Sequence, residues 1–189
     1  NIFMKKIVIL ASGNGSNAES IIRYFKPQKK IKISYIISNK KDAYVLDRAK
    51  KHNIPHLVIE NNRFDENKTI DFFKEIKPDL IVLAGFLIKI PINIINNFSS
   101  KIVNIHPSLL PSYGGKGMYG IKVHESVKKN NDSISGITIH YVNENYDEGQ
   151  IIFQKKIKIE KADTVKIISE KVKIIEHKYY PKVIESLLN

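Results

Sequence analysis

The chain contains no cysteine and no tryptophan among its 189 residues. Without cysteine it has neither a disulfide framework nor a thiolate metal site, which fits a protein of the reducing cytoplasm. Long hydrophobic runs are also missing, because Lys89 and Pro91 interrupt the apolar stretch from Leu80 to Ile95. No segment reaches the roughly 18 apolar residues that a membrane-spanning helix needs. The composition therefore predicts a cytoplasmic protein with no membrane partner.

Arginine is scarce, with Arg23, Arg48 and Arg63 as its only occurrences, although the formal net charge is +12. Arginine is the residue that pairs with base edges and forks onto phosphates, and the lysines are scattered along the chain. We therefore predict no nucleic-acid partner. A diffuse basic surface of this kind commonly serves solubility or the steering of anionic small molecules.

Apolar runs typical of buried strands alternate with segments whose apolar residues recur at helical spacing. The predicted strands cover residues 5–11, 31–37, 55–59, 79–84 and the start of 101–111, and the intervening helices cover 18–25, 42–51 and 64–76. This alternation predicts right-handed βαβ units in one Rossmann-like α/β domain, with a mostly parallel sheet and helices on both faces. We assign residues 4–189 to this domain. Residues 1–3 precede Met4 and are interpreted as a remnant outside it.

The C-terminal part departs from this alternation. Residues 133–142 and 150–159 are two strand patterns joined by a turn, which predicts an antiparallel extension of the sheet. A last helix is predicted from about Asp163 to Leu188, and Pro181 is expected to kink or interrupt it.

A glycine turn, residues 12–17, lies between the first predicted strand and the first predicted helix. Backbone N–H groups at a helix N-terminus favour a phosphate, and Gly15 allows the close approach of such a group. The side chains of Ser16 and Asn17 add hydrogen-bond donors. The turn therefore predicts a phosphate-binding site.

The sequence of the glycine turn also bears on three other interpretations. It lacks the Gly-Lys-Ser/Thr of a nucleoside-triphosphate loop. The spacing of Gly13, Gly15 and Ala18 satisfies a dinucleotide fingerprint, but the next strand ends in residues 38–40 without the carboxylate that would bind a ribose. A tight turn that needs glycine only for its backbone stays open as an alternative.

Residues 101–111 carry two polar side chains near the end of a short buried strand. Positions two apart on a strand face the same side, so the Asn104 amide and the His106 imidazole share one space before Pro107 ends the strand. Both groups are donors that stabilise a developing oxyanion. Such a pair also forms ordinary turn hydrogen bonds, so the pattern alone leaves both interpretations open.

Residues 106–115, followed by 136–140 and 147–149, resemble the signature of the folate-dependent formyltransferases. In that family an Asn, a His and a distant Asp form the catalytic set, which maps here to Asn104, His106 and Asp147. The resemblance implies direct transfer of a formyl group from the co-substrate 10-formyltetrahydrofolate to the amine of glycinamide ribonucleotide in purine synthesis, without a metal. We expect Asp147 to keep His106 charged by raising its pKa.

The same resemblance implies the binding residues. The glycine turn looks like the loop that holds the substrate's 5′-phosphate, through Gly15, Ser16 and Asn17, and Glu176 lies in a Glu-His-x-x-Tyr-Pro pattern that meets the ribonucleotide. Asn104 and an apolar segment form the folate pocket; the segment comprises Leu87, Ile88, Lys89 and Ile90.

Two departures from the family pattern stand out. Ile88 occupies the position of the family's usual arginine. Many family members also carry a basic residue shortly after the position of Phe64, where this chain has Asn67 and Lys68; either one of these substitutes for it or the contact is absent. The glycine-rich residues 112–120 are expected to form a mobile lid.

The predicted partners are small molecules only, and the chain is expected to be a monomer or a homodimer.

Two rival functions remain. A formyltransferase acting on an amino sugar attached to a nucleotide would keep Asn104, His106 and Asp147 but bind a different acceptor. A non-catalytic nucleotide-binding domain would keep the sheet and the glycine turn without needing these three side chains.

Overall fold

The computed structural model describes residues 4–64 and 67–189. In these ranges the strands are β1 Lys5–Leu10, β2 Ile31–Ser38, β3 His56–Val58, β4 Leu80–Leu83, β5 Ile102–His106, β6 Ile134–Tyr141 and β7 Ile151–Lys158. They form one sheet in the order β3-β2-β1-β4-β5-β6-β7. Strands β1 to β5 pair in parallel, whereas β6 and β7 pair antiparallel. The predicted fold class, with its antiparallel extension, is confirmed.

Helices cover both faces of this sheet. They are α1 Ser16–Phe25, α2 Val45–Lys51, α3 Asn67–Ile76, α4 Ile92–Asn97, α5 Ile121–Lys129 and α6 Val165–Leu188, with a 3₁₀ turn at Asn61–Arg63. The central strand β1 is buried on both sides: Ile7 and Ile9 join a core with α1 and α6, and Val8 and Leu10 join one with α3 and α4. Among the described residues, no helix combines the length and the apolar character needed to cross a membrane.

Several predicted boundaries differ from the observed ones. Helix α2 begins at Val45 instead of residue 42, and α3 is observed from Asn67 instead of residue 64. Phe64 is buried against Phe73 and Phe86 in the preceding turn. Residues 1–3, Asp65 and Glu66, on which parts of the predictions fell, lie outside the described residues. The short helix α4 was not predicted.

Helix α6 runs through Pro181 instead of being interrupted there. Proline has no N–H to donate to the carbonyl four residues earlier, which belongs to His177. That carbonyl instead accepts a hydrogen bond of 2.9 Å from the Ser20 hydroxyl on α1. The bond lost within the helix is thus replaced by one between two helices, which fixes α6 against α1.

Candidate active site

The carboxyl ends of β1, β4 and β5 open into a cleft of about 580 Å³. This is where ligands bind in open parallel sheets. Apart from Gly15, every residue predicted to act in catalysis or to bind the phosphate, the ribose or the folate lines this cleft. The structure therefore brings together side chains from the glycine turn, the segment after β4, strand β5, the turn after β6 and helix α6.

Asn104 and His140 lie opposite each other on the antiparallel strands β5 and β6. The His140 Nδ1 donates to the Tyr141 carbonyl at 2.8 Å, and its Nε2 lies 3.2 Å from the Asn104 amide nitrogen and 3.7 Å from the Asp147 Oδ1. The same Asn104 nitrogen lies 3.5 Å from the Asp147 Oδ1. His140 was not among the predicted site residues, because a histidine on an alternating strand is usually a packing residue; here it orients Asn104.

His106 and Asp147 meet at the edge of the cleft. The His106 Nδ1 lies 3.5 Å from the Asp147 Oδ2, and its Nε2 donates to the Tyr113 carbonyl at 2.7 Å. The Gly115 N–H donates to the same Asp147 oxygen at 2.9 Å. Tyr113 and Asp147 both adopt positive φ, at 57° and 58°. Residues 112–120, the predicted lid, therefore contact both members of this pair.

The pKa shift of His106 differs from the expectation, whereas that of Asp147 fits the expected ionised carboxylate. Burial lowers the pKa of His106, and the opposing effects of Asp147 and the Tyr113 carbonyl do not reverse this direction. Asp147 does favour the charged imidazole, but the net direction of the pKa is opposite to the one expected, because His106 is buried deeply. Burial raises the pKa of Asp147, but His140, His106 and the Gly115 N–H outweigh it, so that its pKa is lowered.

The glycine turn needs Gly15 for two reasons. Its φ is +72°, and a Cβ at this position would lie 2.5 Å from the Val45 Cγ2 of helix α2. Next to it, the Asn17 amide donates to the Glu176 carboxylate at 3.1 Å. The Asn17 Oδ1 is buried and has no partner within the described part of the chain. An orphaned acceptor beside the cleft is suited to a donor from a ligand.

Glu176 is an unusual carboxyl group. Burial raises its pKa to about 7, against the opposing effects of the Asn17 amide and Lys173. Lys173 lies one turn earlier on α6 and also lines the cleft. Lys173 was not predicted at the cleft, because a lysine on an amphipathic helix has the same pattern as any solvent-exposed one.

The titration of Glu176 predicts a pH-dependent stability. In the unfolded chain the carboxyl ionises near pH 4.5, whereas in the folded protein it keeps its proton to about pH 7. The unfolded state therefore loses its proton first, and the free energy of unfolding falls as the pH rises through this window. From pH 4.5 to about pH 8, Glu176→Gln should gain up to about 3 kcal/mol relative to wild type, and less where water reaches the carboxyl group.

Denaturant unfolding at several pH values measures this difference. Glu170→Gln, on the exposed side of the same helix, is the matched control and should follow the wild type. A constant difference between Glu176→Gln and wild type across this range would mean that the carboxyl is not buried as described.

The predicted folate segment follows β4 and is tied to the glycine turn. The Leu87 N–H donates to the Ser12 hydroxyl at 2.9 Å. Leu87 is 44 % exposed, whereas Ile90 is 4 % exposed and packs into the core beneath the cleft. The Lys89 ammonium lies 6.0 Å from the centre of the Tyr146 ring, next to Asp147 in sequence.

Asn67 and Lys68, at the start of α3, are exposed, and neither is among the described residues that line the cleft. Within residues 4–64 and 67–189 there is no cluster of three or more His, Cys, Asp or Glu side chains suited to a metal ion.

This chain is similar to known formyltransferases in sequence. The sequence profile of the formyl transferase family matches residues 5–184. The phosphoribosylglycinamide formyltransferase of Bacillus subtilis is 37 % identical over 191 residues, covering 98 % of this chain and 95 % of that protein. That of Haemophilus influenzae is also 37 % identical, covering 96 % of this chain and 86 % of that protein.

Solved structures with a similar fold belong to enzymes with the same or an equivalent name. The phosphoribosylglycinamide formyltransferase of Bacillus halodurans has a TM-score of 0.88 at 34 % identity, covering 98 % of this chain and 96 % of that one. The glycinamide ribonucleotide transformylase 1 of Geobacillus kaustophilus has a TM-score of 0.89 at 29 % identity, covering 98 % of this chain and 100 % of that one.

Proposed function

This chain belongs to the formyl transferase family, and we propose that it transfers the formyl group of 10-formyltetrahydrofolate to the amine of phosphoribosylglycinamide in purine biosynthesis. The observation that carries this function is the convergence of Asn104, His106 and Asp147 in one cleft with the glycine turn. Relatives with this activity in their names match nearly the whole chain.

The two substrates are assigned to the two ends of the cleft. The phosphate binds the backbone of Gly15 and the side chains of Ser16 and Asn17, where N–H groups at the start of α1 favour an anion. The ribose hydroxyls donate to Glu176 and to the unpartnered Asn17 Oδ1. The flat folate ring lies along an apolar segment beside Asn104; the segment comprises Leu87, Ile88, Lys89 and Ile90.

The reaction is a direct acyl transfer between two amines. The amine of the acceptor attacks the formyl carbon, the carbonyl oxygen becomes an oxyanion, and the bond to the folate nitrogen then breaks. Asn104, whose amide is oriented by His140, donates to this oxyanion. Asp147, with its lowered pKa, is ionised; it accepts the proton that the attacking nitrogen loses and, through a water molecule, delivers it to the folate nitrogen as the carbon–nitrogen bond breaks. Holding both substrates in one cleft supplies much of the acceleration.

His106 donates a second hydrogen bond to the oxyanion. In this conformation its Nε2 is occupied by the Tyr113 carbonyl of the lid, residues 112–120. We assign to the lid a movement that withdraws this carbonyl and frees the N–H for the substrate. A neutral imidazole is a sufficient donor, so the lowered pKa of His106 is compatible with this role, and the negative charge that develops on the oxyanion favours its protonation.

Residues 4–189 act as one catalytic domain in the cytoplasm, as a monomer or homodimer, with small molecules as the only partners. The lysine-rich surface has the role of attracting the anionic substrates.

An assay with purified protein tests this function. We expect deformylated folate to form when 10-formyltetrahydrofolate and phosphoribosylglycinamide are both present, and not with either alone. Faster turnover with an amino sugar attached to a nucleotide would favour the rival formyltransferase. Binding of folate without turnover on any acceptor would favour a non-catalytic domain.

A further inference from the structure

Arg48 on helix α2 makes two hydrogen bonds to the tip of the glycine turn. Its Nε donates to the Asn14 carbonyl at 2.8 Å, and its Nη2 donates to the Asn14 Oδ1 at 2.8 Å. The two residues are 34 positions apart in sequence. A guanidinium fork that holds one residue by backbone and side chain together fixes its orientation, because the two bonds define a plane.

The same helix holds the two glycines that flank Asn14. The Val45 N–H donates to the Gly13 carbonyl at 3.1 Å, and the Val45 side chain fills the space beside Gly15. Val45 and Arg48 are three residues apart and therefore lie on one face of the helix. Val45 and Arg48, one turn apart on α2, thus contact residues 13–15 of the glycine turn.

The remaining nitrogen of Arg48 is also engaged. Its Nη1 lies 3.3 Å from the Glu19 carboxylate, and the Tyr44 ring centre lies 4.9 Å from its central carbon. Burial raises the pKa of Glu19, but Arg23, His52 and Arg48 outweigh it and lower this pKa to about 2, so that Glu19 stays ionised. All three guanidinium nitrogens of Arg48 thus contact Asn14 or Glu19, and its charge is balanced by Glu19. Arg48 is therefore not available to bind the substrate phosphate directly.

We propose that Arg48 is a positioning residue that sets the affinity of the glycine turn for the substrate's phosphate. It acts by keeping the backbone N–H groups after Asn14 in their binding geometry before the substrate arrives, which removes an ordering cost from binding. This inference rests on the proposed function, since it takes the glycine turn as the phosphate site.

Steady-state kinetics with two acceptors tests the proposal. For Arg48→Met, KM for phosphoribosylglycinamide should rise about 10-fold, as expected for the loss of two charge-assisted bonds, while kcat and KM for the folate stay within about twofold. With ribosylglycinamide, which lacks the phosphate, kcat/KM should equal that of the wild type. An unchanged KM for the phosphorylated acceptor, or the same loss with both acceptors, would overturn the proposal.

Arg23→Met is the matched control, because Arg23 contacts Glu19 at 2.7 Å and is otherwise largely exposed. It should leave both acceptors within about twofold of wild type. Arg48→Lys keeps the charge but lacks the fork, so most of the rise in KM should persist. Full recovery with lysine would assign the effect to charge and contradict the positioning role.

Asn14→Ala covers the case in which Arg48→Met does not fold. It removes the contact between the Asn14 side chain and Arg48 but keeps the one to the Asn14 carbonyl, so KM for the phosphorylated acceptor should rise about threefold. The double variant Asn14→Ala with Arg48→Lys should have the same KM as Arg48→Lys alone. Fully additive effects of the two substitutions on the free energy of binding would contradict the proposal.

If the wild type does not formylate phosphoribosylglycinamide, the proposed function fails by itself. Binding of inorganic phosphate then still tests the role of Arg48, because it should be weaker in Arg48→Lys than in the wild type; equal binding would contradict the proposal.

Discussion

Replacing Asp147 by asparagine should lower kcat for formyl transfer by about 10²- to 10⁴-fold, the range expected when a positioned proton acceptor is lost. Asparagine has nearly the same shape and keeps an oxygen for the Gly115 N–H, which in the wild type donates to the carboxylate at 2.9 Å. It cannot accept the proton of the attacking nitrogen. KM for both substrates should therefore change by only a few-fold.

Glu148→Gln is the control for this experiment. Glu148 is the next residue, is exposed, and accepts a hydrogen bond from Asn145, so its loss should leave turnover near the wild-type value. Single-turnover measurements separate the chemical step from product release. If Asp147→Asn retained more than about a tenth of wild-type turnover, Asp147 would have no part in proton transfer.

His106→Ala should lower kcat by about 10²- to 10³-fold, which is the typical loss when one oxyanion donor is removed. The side chain is buried, and its two ring nitrogens contact the Tyr113 carbonyl and Asp147, so binding of phosphoribosylglycinamide should change little. Circular dichroism and thermal unfolding verify that the variant folds, since an empty space is left where the imidazole packed.

The double variant sharpens this prediction. Because His106 and Asp147 are 3.5 Å apart, they should act as a unit. His106→Ala combined with Asp147→Asn should be about as slow as the slower single variant. Multiplicative losses would mean that the two side chains contribute independently, and wild-type turnover of His106→Ala would remove it from the mechanism.

The strands were predictable because their sequence pattern is local. The run Ile7 to Leu10 is apolar throughout, as a strand buried on both faces requires, and the structure buries it on both faces. The carboxyl ends of such parallel strands share one edge of the sheet, so the meeting of the glycine turn and β5 at one cleft followed from topology.

The features that escaped prediction depend on contacts between distant residues. The Asn17 to Glu176 bond joins positions 159 apart, and the Ser20 hydroxyl replaces the helical bond that Pro181 cannot make. Neither partner carries a local signal of the other. The same holds for Arg48, which has the sequence pattern of any charged residue on a helix.

The direction of the His106 pKa was mispredicted for a related reason. The sequence identified Asp147 as a neighbour that favours the charged imidazole, and this contribution is present. The sequence contains no measure of how deeply β5 and the lid bury the ring, and burial is the larger effect. The sign of a pKa shift thus depends on packing that a motif does not encode.

The most direct test of the account follows the formyl carbon itself. With 10-formyltetrahydrofolate labelled at the formyl carbon, mass spectrometry of the products should place the label on the glycinamide nitrogen of phosphoribosylglycinamide, in equal amount to the tetrahydrofolate formed. Label recovered as free formate, or left on the folate while the acceptor stays unmodified, would contradict direct transfer in this cleft.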